Sequence, residues 1–588
     1  MAAYAYNNNQ INFVDFPFRP LNPSSSGVPN PNFNQAPLPY NPLLFVVPPF
    51  GVPLNPSLLI QMDEERSLSL LQLIANEGLV PVREEEEKRI SVIKKLKQIV
   101  LSWAKKVAWQ RRLPNEQIAE THATILTYGS YGLGVHGSES DIDALCVGPH
   151  FATMAEDFFI VLRNMLKSRS EVTEIHCVKD AKVPLMRFKF DGILIDLPYA
   201  QLKVPSVPDD VDVLNPFFVR DIDETSWKSL SGVRANQRII QLVPDLEFFC
   251  ISLFTDMFQK FQSVLRCVKL WAKRRGVYGN LNGFLGGVHL AILVAFVCQN
   301  FPKGSISVLI SNFFKTFGFW PWPTPVMLQD TMSPAGFPSE TRSLMPIRLP
   351  WGTGGSNREP NPSIFLNYYA FIITKLGEVP LLFPLSSLSF LLPFFNGTSF
   401  LALQDLLRPD FDWHTLFEPF PYSKKYARFV KVYLSASNPD DLGDWVGWVK
   451  SRFRGLLVKL EDVQGLCDPN PTEYADTDVA EPNVVFYWGL QPGRTQFLDI
   501  ESVQKDFWKN ITNGYQGSIG RMKLSIVQAS QLLRNSQFDT GSGKRTKACW
   551  KMIDYNLPSV PTYSQHLPNY FVGYVAANGD TKYPSAGG

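Results

Sequence analysis

The sequence predicts an α+β protein with several domains. Its 588 residues exceed the roughly 150 expected for one domain. Short β-branched segments surround one helical segment between residues 123 and 202, whereas a helical pattern dominates from residue 222 to residue 300. Lysine plus arginine (56) nearly balance aspartate plus glutamate (54), so any basic surface must be local.

Residues 1–60 are predicted to form a disordered leader. Between Met1 and Ser57 the only charged residues are Asp15 and Arg19, and proline, asparagine and serine dominate. This composition buries too little apolar surface to offset chain entropy. The isolated aromatic residues of the leader leave partner binding open as an alternative. Ordered structure is expected to begin near Met62, and residues 83–109 carry the pattern of an amphipathic helix with a glutamate-rich start.

The acidic residues of SDIDALCV point to a cation site. Alternation along a strand puts Asp141 and Asp143 on one side, where two carboxylates repel each other unless a cation lies between them. Carboxylate oxygens select Mg²⁺ or Mn²⁺. Asp196 lies in the apolar segment ILIDL, where a charge is costly unless it is paired or binds metal, so it is the expected third ligand. A salt-bridged strand-end aspartate is the alternative interpretation.

A glycine turn precedes these carboxylates. Gly129 permits close approach of the backbone to a ligand, and Ser130 offers a hydroxyl and an amide to a triphosphate. Lys269 is flanked by apolar residues on a helical segment, which favours an anionic ligand over a surface role. His136 is expected to be structural rather than a general base.

GSYGLGVHGSESDIDALCVGP resembles the catalytic signature of eukaryotic, especially plant, poly(A) polymerases of the DNA polymerase beta-like nucleotidyltransferase superfamily. The resemblance continues in VPLMRFKFDGILIDLPYAQL, CVKLWAKRRGVYGN and WVGWVKSRFRGLLVKLE and covers most of residues 67–513. It implies a nucleotidyltransferase domain at 61–215, with N-terminal helices packing on a helical central domain at 216–405. An RRM-like (ferredoxin-like) RNA-binding domain would follow at 406–515, and a tail at 516–588.

By this resemblance, Asp141, Asp143 and Asp196 are the catalytic metal ligands for two Mg²⁺ or Mn²⁺ ions. The resemblance also implies a set of residues that contact ATP: Tyr128, Gly129, Ser130, Lys269, Tyr278, Asn280, Gly287 and Val288. The implied reaction is template-independent transfer of AMP from ATP to RNA 3′ ends. The alternatives are a catalytically impaired RNA-binding paralogue and a terminal transferase that uses UTP or CTP.

The expected partners are an RNA 3′ end, such as oligo(A) or pre-mRNA, and cleavage and polyadenylation factors. The resemblance implies a monomer in the nucleus, although the tail has only GKRTK as a basic cluster and a cytoplasmic form is an alternative. No membrane association is expected, because the best apolar run, Phe284 to Cys298, is shorter than the roughly 20 residues of a membrane span.

The third region, which begins near Phe411, carries basic residues interleaved with aromatic ones, a pattern typical of single-stranded RNA binding. A solvated face over buried aromatics is equally consistent with the residues alone, and the resemblance favours RNA. The basic residues are Lys424, Lys425, Arg428, Lys431, Lys450, Arg452, Arg454 and Lys459, and the aromatic ones are Tyr426, Phe429, Trp448 and Phe453. A single helix is expected from Asp440 to Leu460, after the Asn438-Pro439 start signal.

The sequence departs from the family pattern at four places. Gly132 stands where the family has arginine, and Ser231 replaces an asparagine near the ribose. Residues 247–264 form a phenylalanine-rich insertion, and residues 351–400 lack the usual end of the central domain. The changes at Gly132 and Ser231 are expected to weaken nucleotide binding and to leave the predicted metal ligands untouched.

Overall fold

The computed structural model describes residues 56–179, 181–243, 257–282, 284–320, 326–328, 373–374, 399, 402–403, 405–406, 411–464, 467–490 and 499–532. Nearly all of the predicted leader, most of the C-terminal tail and most of residues 351–400 lie outside these ranges. The first described element is α1 (Pro56–Asn76), followed by α2 (Arg83–Gln110) and α3 (Asn115–Glu120). The amphipathic helix predicted for residues 83–109 is confirmed as α2.

A five-stranded sheet forms the first folded region. Its strands are β1 (Thr124–Tyr128), β2 (Ile142–Gly148), β3 (Val172–Val178), β4 (Leu185–Phe190) and β5 (Ile193–Gln201). They lie in the order β1-β2-β5-β4-β3. β2 and β5 pair in parallel, whereas the other neighbouring strands are antiparallel. The central parallel pair therefore brings together two segments that are about fifty residues apart in sequence.

Helices cover both faces of this sheet. On one face, Val100 and Trp103 of α2 share a core with Phe158, which lies in a π-helical segment, Met154–Leu162, that leads into α5 (Arg163–Lys167). On the other face, Leu230 and Val233 belong to α7 (Glu224–Leu242). Two short helices, α4 (Gly129–Gly132) and α6 (Pro216–Val219), lie in the connections.

The central helices are α8 (Met257–Arg274), α9 (Gly287–Asn300) and α10 (Ile306–Gly318), with a 3₁₀ turn at Asn280–Asn282. Apolar residues of α1 join their core, whereas α2 packs on the sheet. The phenylalanine-rich insertion expected at 247–264 is described only from residue 257, and that part forms the first two turns of α8. A short parallel pair, β6 (Met327–Leu328) and β7 (Ile373–Thr374), follows.

The third region contains a four-stranded sheet. After α11 (Trp413–Leu416) and α12 (Tyr422–Lys425), the chain forms β8 (Arg428–Ser435), α13 (Pro439–Lys450), α14 (Phe453–Gln464), β9 (Cys467–Asp468), β10 (Asn483–Leu490), α15 (Ile500–Thr512) and β11 (Arg521–Gln528). A 3₁₀ turn, Ala529–Gln531, ends the described chain. The strand order is β11-β8-β10-β9, so the first and last long strands are neighbours.

The single helix predicted from Asp440 to Leu460 is wrong, because the structure has two helices there. The expected start is present, since the Asn438 side chain accepts a hydrogen bond from the amide of Asp441. At the break, the Ser451 hydroxyl and the Arg452 guanidinium both donate to the carbonyl of Trp448, at 2.6 and 3.2 Å. Side chains that bond a preceding carbonyl in this way compete with helix continuation.

No helix in the described ranges is long and apolar enough to cross a membrane. The run from Phe284 to Cys298 instead supplies most of α9, whose residues Leu290, Leu293 and Val297 are fully buried against other helices. Its apolar character therefore belongs to the protein core.

Candidate active site

Two aspartates face each other across the central parallel strands. Asp143 on β2 and Asp196 on β5 are direct partners in the strand register, so their side chains project from the same face. Asp141 lies one residue before β2 begins. The structure thus brings together the three carboxylates that the sequence singles out, from two distant segments of the chain.

These carboxylates influence each other electrostatically. Burial, together with the negative charges of Asp141 and Asp196, raises the pKa of Asp143 to about 7, against the opposing effect of Lys269 and Arg187. A carboxylate in this state holds a proton at neutral pH more readily than an ordinary aspartate. Burial and the neighbouring carboxylates therefore disfavour ionisation of Asp143, and a nearby cation would favour it.

Arg187 is a site residue that the sequence analysis did not single out. It lies on β4 directly opposite Asp196, and its Nε and terminal nitrogen donate to the two oxygens of Asp196, both at 2.6 Å. The hydrogen bonds with Asp196 raise the pKa of Arg187. Two parallel bonds of this kind make a strong, directional ion pair. The strand register decides this contact.

The glycine turn lies directly against the carboxylates. Gly129 has a φ of +63°, and a β-carbon there would collide with the carboxylate of Asp143. Tyr128 is also mostly buried, and burial together with the three nearby aspartates raises the pKa of its hydroxyl. Ser130 follows in α4, which has only four residues. The turn is therefore held within contact distance of the candidate metal ligands.

Two lysines reach the site from α8. Burial, together with the nearby Lys273, lowers the pKa of Lys269 to about 8, whereas Asp141 and Asp143 act in the opposite direction. Lys273, one helical turn later, also interacts electrostatically with Asp141, and its Nζ lies 5.6 Å from the centre of the Tyr278 ring. The sequence analysis missed Lys273, although its i+4 spacing from Lys269 places it on the same helical face.

The predicted nucleotide contacts after α8 form one turn. Tyr278 and Leu285 make an isolated parallel β-bridge, and Tyr278 feels the charges of Asp141 and Asp143, which together with burial raise its pKa. Its hydroxyl would lie 3.3 Å from a β-carbon at Gly287, the first residue of α9, and Val288 follows in the same turn. Asn280 begins the 3₁₀ turn, and its side chain lies outside the described part of the structure.

The fit of divalent cations rests on the chemistry of the carboxylates. Three carboxylates supply hard oxygen donors, and a cation would favour the ionised form of Asp143 that burial and the charges of Asp141 and Asp196 disfavour. Within the described residues, no group of three or more acidic, histidine or cysteine side chains already converges as a metal cage. A cation that binds Asp196 must therefore share or displace the Arg187 contact.

Comparison with known proteins identifies the family. Residues 53–243 match the poly(A) polymerase nucleotidyltransferase domain, and residues 260–348 match the poly(A) polymerase central domain. Nuclear poly(A) polymerase 3 of Arabidopsis thaliana is 57% identical over 517 residues, which cover 87% of this chain and 94% of that protein. The chain belongs to the poly(A) polymerase family. The family resemblance predicted from the signature is confirmed.

This chain covers a smaller share of two other poly(A) polymerases. Nuclear poly(A) polymerase 4 of A. thaliana is 38% identical over 444 residues, which cover 73% of this chain and 55% of that protein. The poly(A) polymerase of Dictyostelium discoideum is 34% identical over 506 residues, which cover 82% of this chain and 58% of that protein. The chain thus spans nearly all of one relative and little more than half of the other two.

Two departures from the poly(A) polymerase pattern have local explanations. A β-carbon at Gly132 would lie 2.9 Å from the Thr127 carbonyl oxygen and 3.0 Å from Nδ2 of Asn236. The turn therefore packs too closely on β1 and α7 for an arginine side chain. Ser231 donates to the Lys228 carbonyl of its own helix at 2.6 Å, so its hydroxyl is engaged within α7.

His136 has the structural role expected for it. The side chain is buried, its Nε2 lies 2.8 Å from a carboxylate oxygen of Glu86, and its ring centre lies 4.8 Å from that of Tyr131. These contacts tie the loop before Asp141 to α2. The histidine therefore holds residues 133–140, the signature loop, against α2.

The aromatic residues of the third region do not form the stacking surface that the sequence pattern suggested. Tyr426, Phe429 and Phe453 are buried, and Trp448 is covered by Arg452, whose guanidinium carbon lies 3.3 Å from the ring centre. Three of the basic residues are paired with acidic ones: Lys431 with Asp476, Lys450 with Glu473 and Lys459 with Asp506. Lys424 and Lys425 are exposed.

Proposed function

We propose that this chain is a template-independent poly(A) polymerase that transfers AMP from ATP to RNA 3′ ends. The observation that carries the proposal is the register pairing of Asp143 with Asp196, faced by Lys269 from α8. The site places acidic ligands for cations beside basic groups for a triphosphate. Family membership favours this activity over an impaired paralogue or a UTP- or CTP-specific transferase.

Asp141, Asp143 and Asp196 are proposed to hold two divalent ions, Mg²⁺ or Mn²⁺. Such ions would supply Lewis acidity that lowers the pKa of the RNA 3′-hydroxyl and offsets charge on the triphosphate. The raised pKa of Asp143 supports this assignment, because a cation favours the ionised form that burial and like charges disfavour.

The protein side chains would orient the nucleotide. Lys269 and Lys273 offer ammonium groups to the phosphates, on the same side of α8. Because Gly129 has no side chain, the turn lies against Asp143, and we propose that its backbone contacts the phosphates, with the Ser130 hydroxyl as a further donor. Tyr278, Asn280, Gly287 and Val288 are proposed to line the adenosine pocket. No protein nucleophile is required for direct attack of the RNA hydroxyl.

The third region is proposed to be an RRM-like domain that binds the RNA backbone. Its β8-α13-α14-β9-β10-α15-β11 succession and the order β11-β8-β10-β9 support a ferredoxin-like fold. The exposed Lys424 and Lys425 are the proposed phosphate contacts. The domain limits at residues 215, 405 and 515 belong to the same proposal.

The nucleus is the proposed compartment, in line with the names of the Arabidopsis relatives, nuclear poly(A) polymerases 3 and 4. A monomer that meets cleavage and polyadenylation factors is part of the same proposal.

The test of the activity is an extension assay with labelled oligo(A), Mg²⁺ or Mn²⁺, and each nucleoside triphosphate separately. We expect extension with ATP alone, and loss of roughly 10³-fold or more in Asp143→Asn, because metal-assisted charge stabilisation is worth several kcal/mol. Asp191→Asn is the matched control. Asp191 lies in the β4–β5 turn with a φ of +49° and pairs with Lys95, and asparagine tolerates this backbone conformation.

Extension with UTP or CTP in preference to ATP would favour the terminal transferase. Retained RNA binding without any extension would favour the impaired paralogue. Normal turnover in Asp143→Asn would contradict the site assignment.

A further inference from the structure

Helix α8 presents a polar stripe to the catalytic region. Gln262, Arg266, Lys269 and Lys273 are spaced by four, three and four residues, which places them on one side of the helix. Other positions of α8, among them Val268, belong to the central core. The stripe therefore extends beyond the two lysines that face the carboxylates.

The first two residues of the stripe bond to backbone carbonyls of the signature loop. Nε2 of Gln262 donates to the Leu133 carbonyl at 3.0 Å, and the Arg266 guanidinium donates to the Gly134 carbonyl. Gly134 has a φ of +65°, and a β-carbon there would collide with the Gln262 amide. The loop backbone thus lies directly on α8, and glycine permits both the contact and the conformation.

This loop connects the nucleotide turn to the first carboxylate. Residues 133–140 run from α4 to Asp141, and the amide of Val135 donates to the carbonyl of Ser130 at 2.9 Å. Near the other end, Arg89 of α2 donates to the carbonyl of Ser138 at 2.8 Å. The loop is therefore held from both ends, by α8 and by α2.

Holding the loop through Arg266 costs free energy, because part of its charged guanidinium is buried. Its Nε is buried without a hydrogen-bond partner within the described structure, and its guanidinium bonds a neutral carbonyl. Burial lowers its pKa, while Glu86 acts in the opposite direction. A buried charge costs free energy that one neutral acceptor does not fully offset. A neutral donor such as that of Gln262 could bond the same kind of acceptor more cheaply.

We propose that Arg266 is a positioning residue that couples triphosphate binding on α8 to the placement of Asp141. It ties the loop before Asp141 to the helix that carries Lys269 and Lys273. A triphosphate that fixes these lysines thereby also fixes the loop. This inference rests on the proposed function, because it requires a nucleotide at the two lysines.

The test combines hydrogen exchange with kinetics on the full chain. Exchange of residues 133–140 is measured with and without ATP and Mg²⁺ in the absence of RNA, and extension of oligo(A) gives kcat and KM. In the wild type we expect ATP to slow exchange in this loop. In Arg266→Met we expect that slowing to be lost, with kcat reduced about tenfold or more and the ATP KM changed by less than about threefold, since small misplacements of reacting groups cost up to about 10²-fold.

Arg275→Met is the matched control. Arg275 follows α8 directly and is also partly withdrawn from solvent. Its guanidinium donates to the Thr415 carbonyl of α11 at 2.9 Å, and not to the signature loop. We expect it to leave the loop exchange and kcat within about twofold of wild type. An effect equal to that of Arg266→Met would show general loosening of α8 and overturn the proposal.

Arg266→Lys keeps the charge and is expected to restore part of kcat and of the ATP-dependent slowing. If Arg266→Met does not fold, Gln262→Met provides the same measurement at the neighbouring contact. A raised ATP KM with unchanged kcat would assign Arg266 to nucleotide binding and overturn the proposal, as would an unchanged exchange response.

A wild-type chain without ATP-dependent extension rejects the proposed function, whereas one that extends RNA but shows no slowing of exchange in residues 133–140 rejects this inference alone.

Discussion

The buried aspartates of the two large sheets have different surroundings. In the first sheet, Asp143 and Asp196 lie side by side, and burial and like charges raise the pKa of Asp143 to about 7. In the third-region sheet, the buried Asp468 also has a raised pKa, of about 6, but it accepts a hydrogen bond from the Tyr426 hydroxyl at 2.7 Å. Lys431, on β8 of the same sheet, is paired with Asp476.

The different surroundings of Asp143 and Asp468 indicate that the first sheet holds a candidate reaction site and that Asp468 has a structural role. A carboxylate with a local hydrogen-bond donor is satisfied within the protein. A group of carboxylates that repel one another stores unfavourable energy, which a cation or a cationic ligand can relieve. The first sheet therefore has a reason to bind ligands that the third-region sheet lacks, and the predictions below test that contrast.

The largest expected effect is on stability without metal. Because the pKa of Asp143 in the folded chain, about 7, lies above the ordinary value of 3.8, its contribution to stability is full below about pH 4 and is lost as the pH rises through 7. In EDTA, we expect Asp143→Asn to raise the free energy of unfolding at pH 8 by up to roughly 4 kcal/mol relative to wild type, with little change at pH 4, because each pKa unit is worth about 1.4 kcal/mol. Urea denaturation at both pH values measures this.

Asp191→Asn is the control for that measurement. It loses an ion pair with Lys95 that is partly exposed, so it should destabilise the chain by at most about 1 kcal/mol. Equal stability of Asp143→Asn and wild type at pH 8 would mean that the first sheet is no more strained than the third-region sheet.

The second prediction concerns the cations that face the carboxylates. Lys269→Met should raise the ATP KM about tenfold or more, because a charge-assisted hydrogen bond is worth roughly 1.5–3 kcal/mol. The RNA KM should change by less than about twofold. Initial rates at varied ATP and varied oligo(A) separate the two effects, and an unchanged ATP KM would remove Lys269 from the nucleotide site.

A third prediction tests Arg187 as a competitor for Asp196. Replacing it by methionine frees both oxygens of Asp196 and removes a positive charge, so Mn²⁺ affinity should rise roughly fivefold. Lys189→Met is the matched control, since Lys189 lies on the same strand and pairs with Glu174 at 2.8 Å. Mn²⁺ titration followed by electron paramagnetic resonance measures the affinity directly. A rise no larger than that of the control would limit Arg187 to a structural ion pair.

Sequence alone predicted the chemistry of the first sheet better than its geometry. Alternation along strands placed Asp141 and Asp143 on one side and made Asp196 unusual in an apolar segment. Which strands pair, and in which register, depends on long-range packing, so the contact of Arg187 with Asp196 was not accessible. Arg187 alternates with apolar residues as an ordinary strand residue does, so the sequence pattern around it does not indicate an active-site role.

The third region shows the opposite limit of sequence reasoning. Interleaved basic and aromatic residues fit both an RNA-stacking face and a packed sheet, because the period of a strand or helix is the same in both cases. Burial decides between them, and it places Phe429 and Phe453 in the core. The break between the two helices coincides with the Ser451 and Arg452 contacts to the Trp448 carbonyl, which no propensity rule predicts.

The smallest expected effect is on RNA binding by the third region. Changing Lys424 and Lys425 together to alanine should flatten the dependence of log affinity for oligo(A) on log salt by about 1.4, since each lost phosphate contact removes about 0.7 for a single strand. The matched control changes Lys450 and Lys459 to alanine. These lysines are paired with Glu473 and Asp506, so their loss should leave the slope nearly unchanged.

Fluorescence anisotropy of labelled oligo(A) at several salt concentrations gives both slopes. The substitutions are at exposed or partly exposed positions, and such changes usually alter stability by no more than about 0.5 kcal/mol, so a change in slope reports on binding. Turnover at saturating RNA should stay close to wild type, because the aspartates and Lys269 are untouched. The control pair could instead flatten the slope as much as Lys424 and Lys425 do. That result would mean that the ion pairs of Lys450 and Lys459 open on RNA binding, and that the paired lysines of the third region bind ligands as the charged groups of the first sheet do.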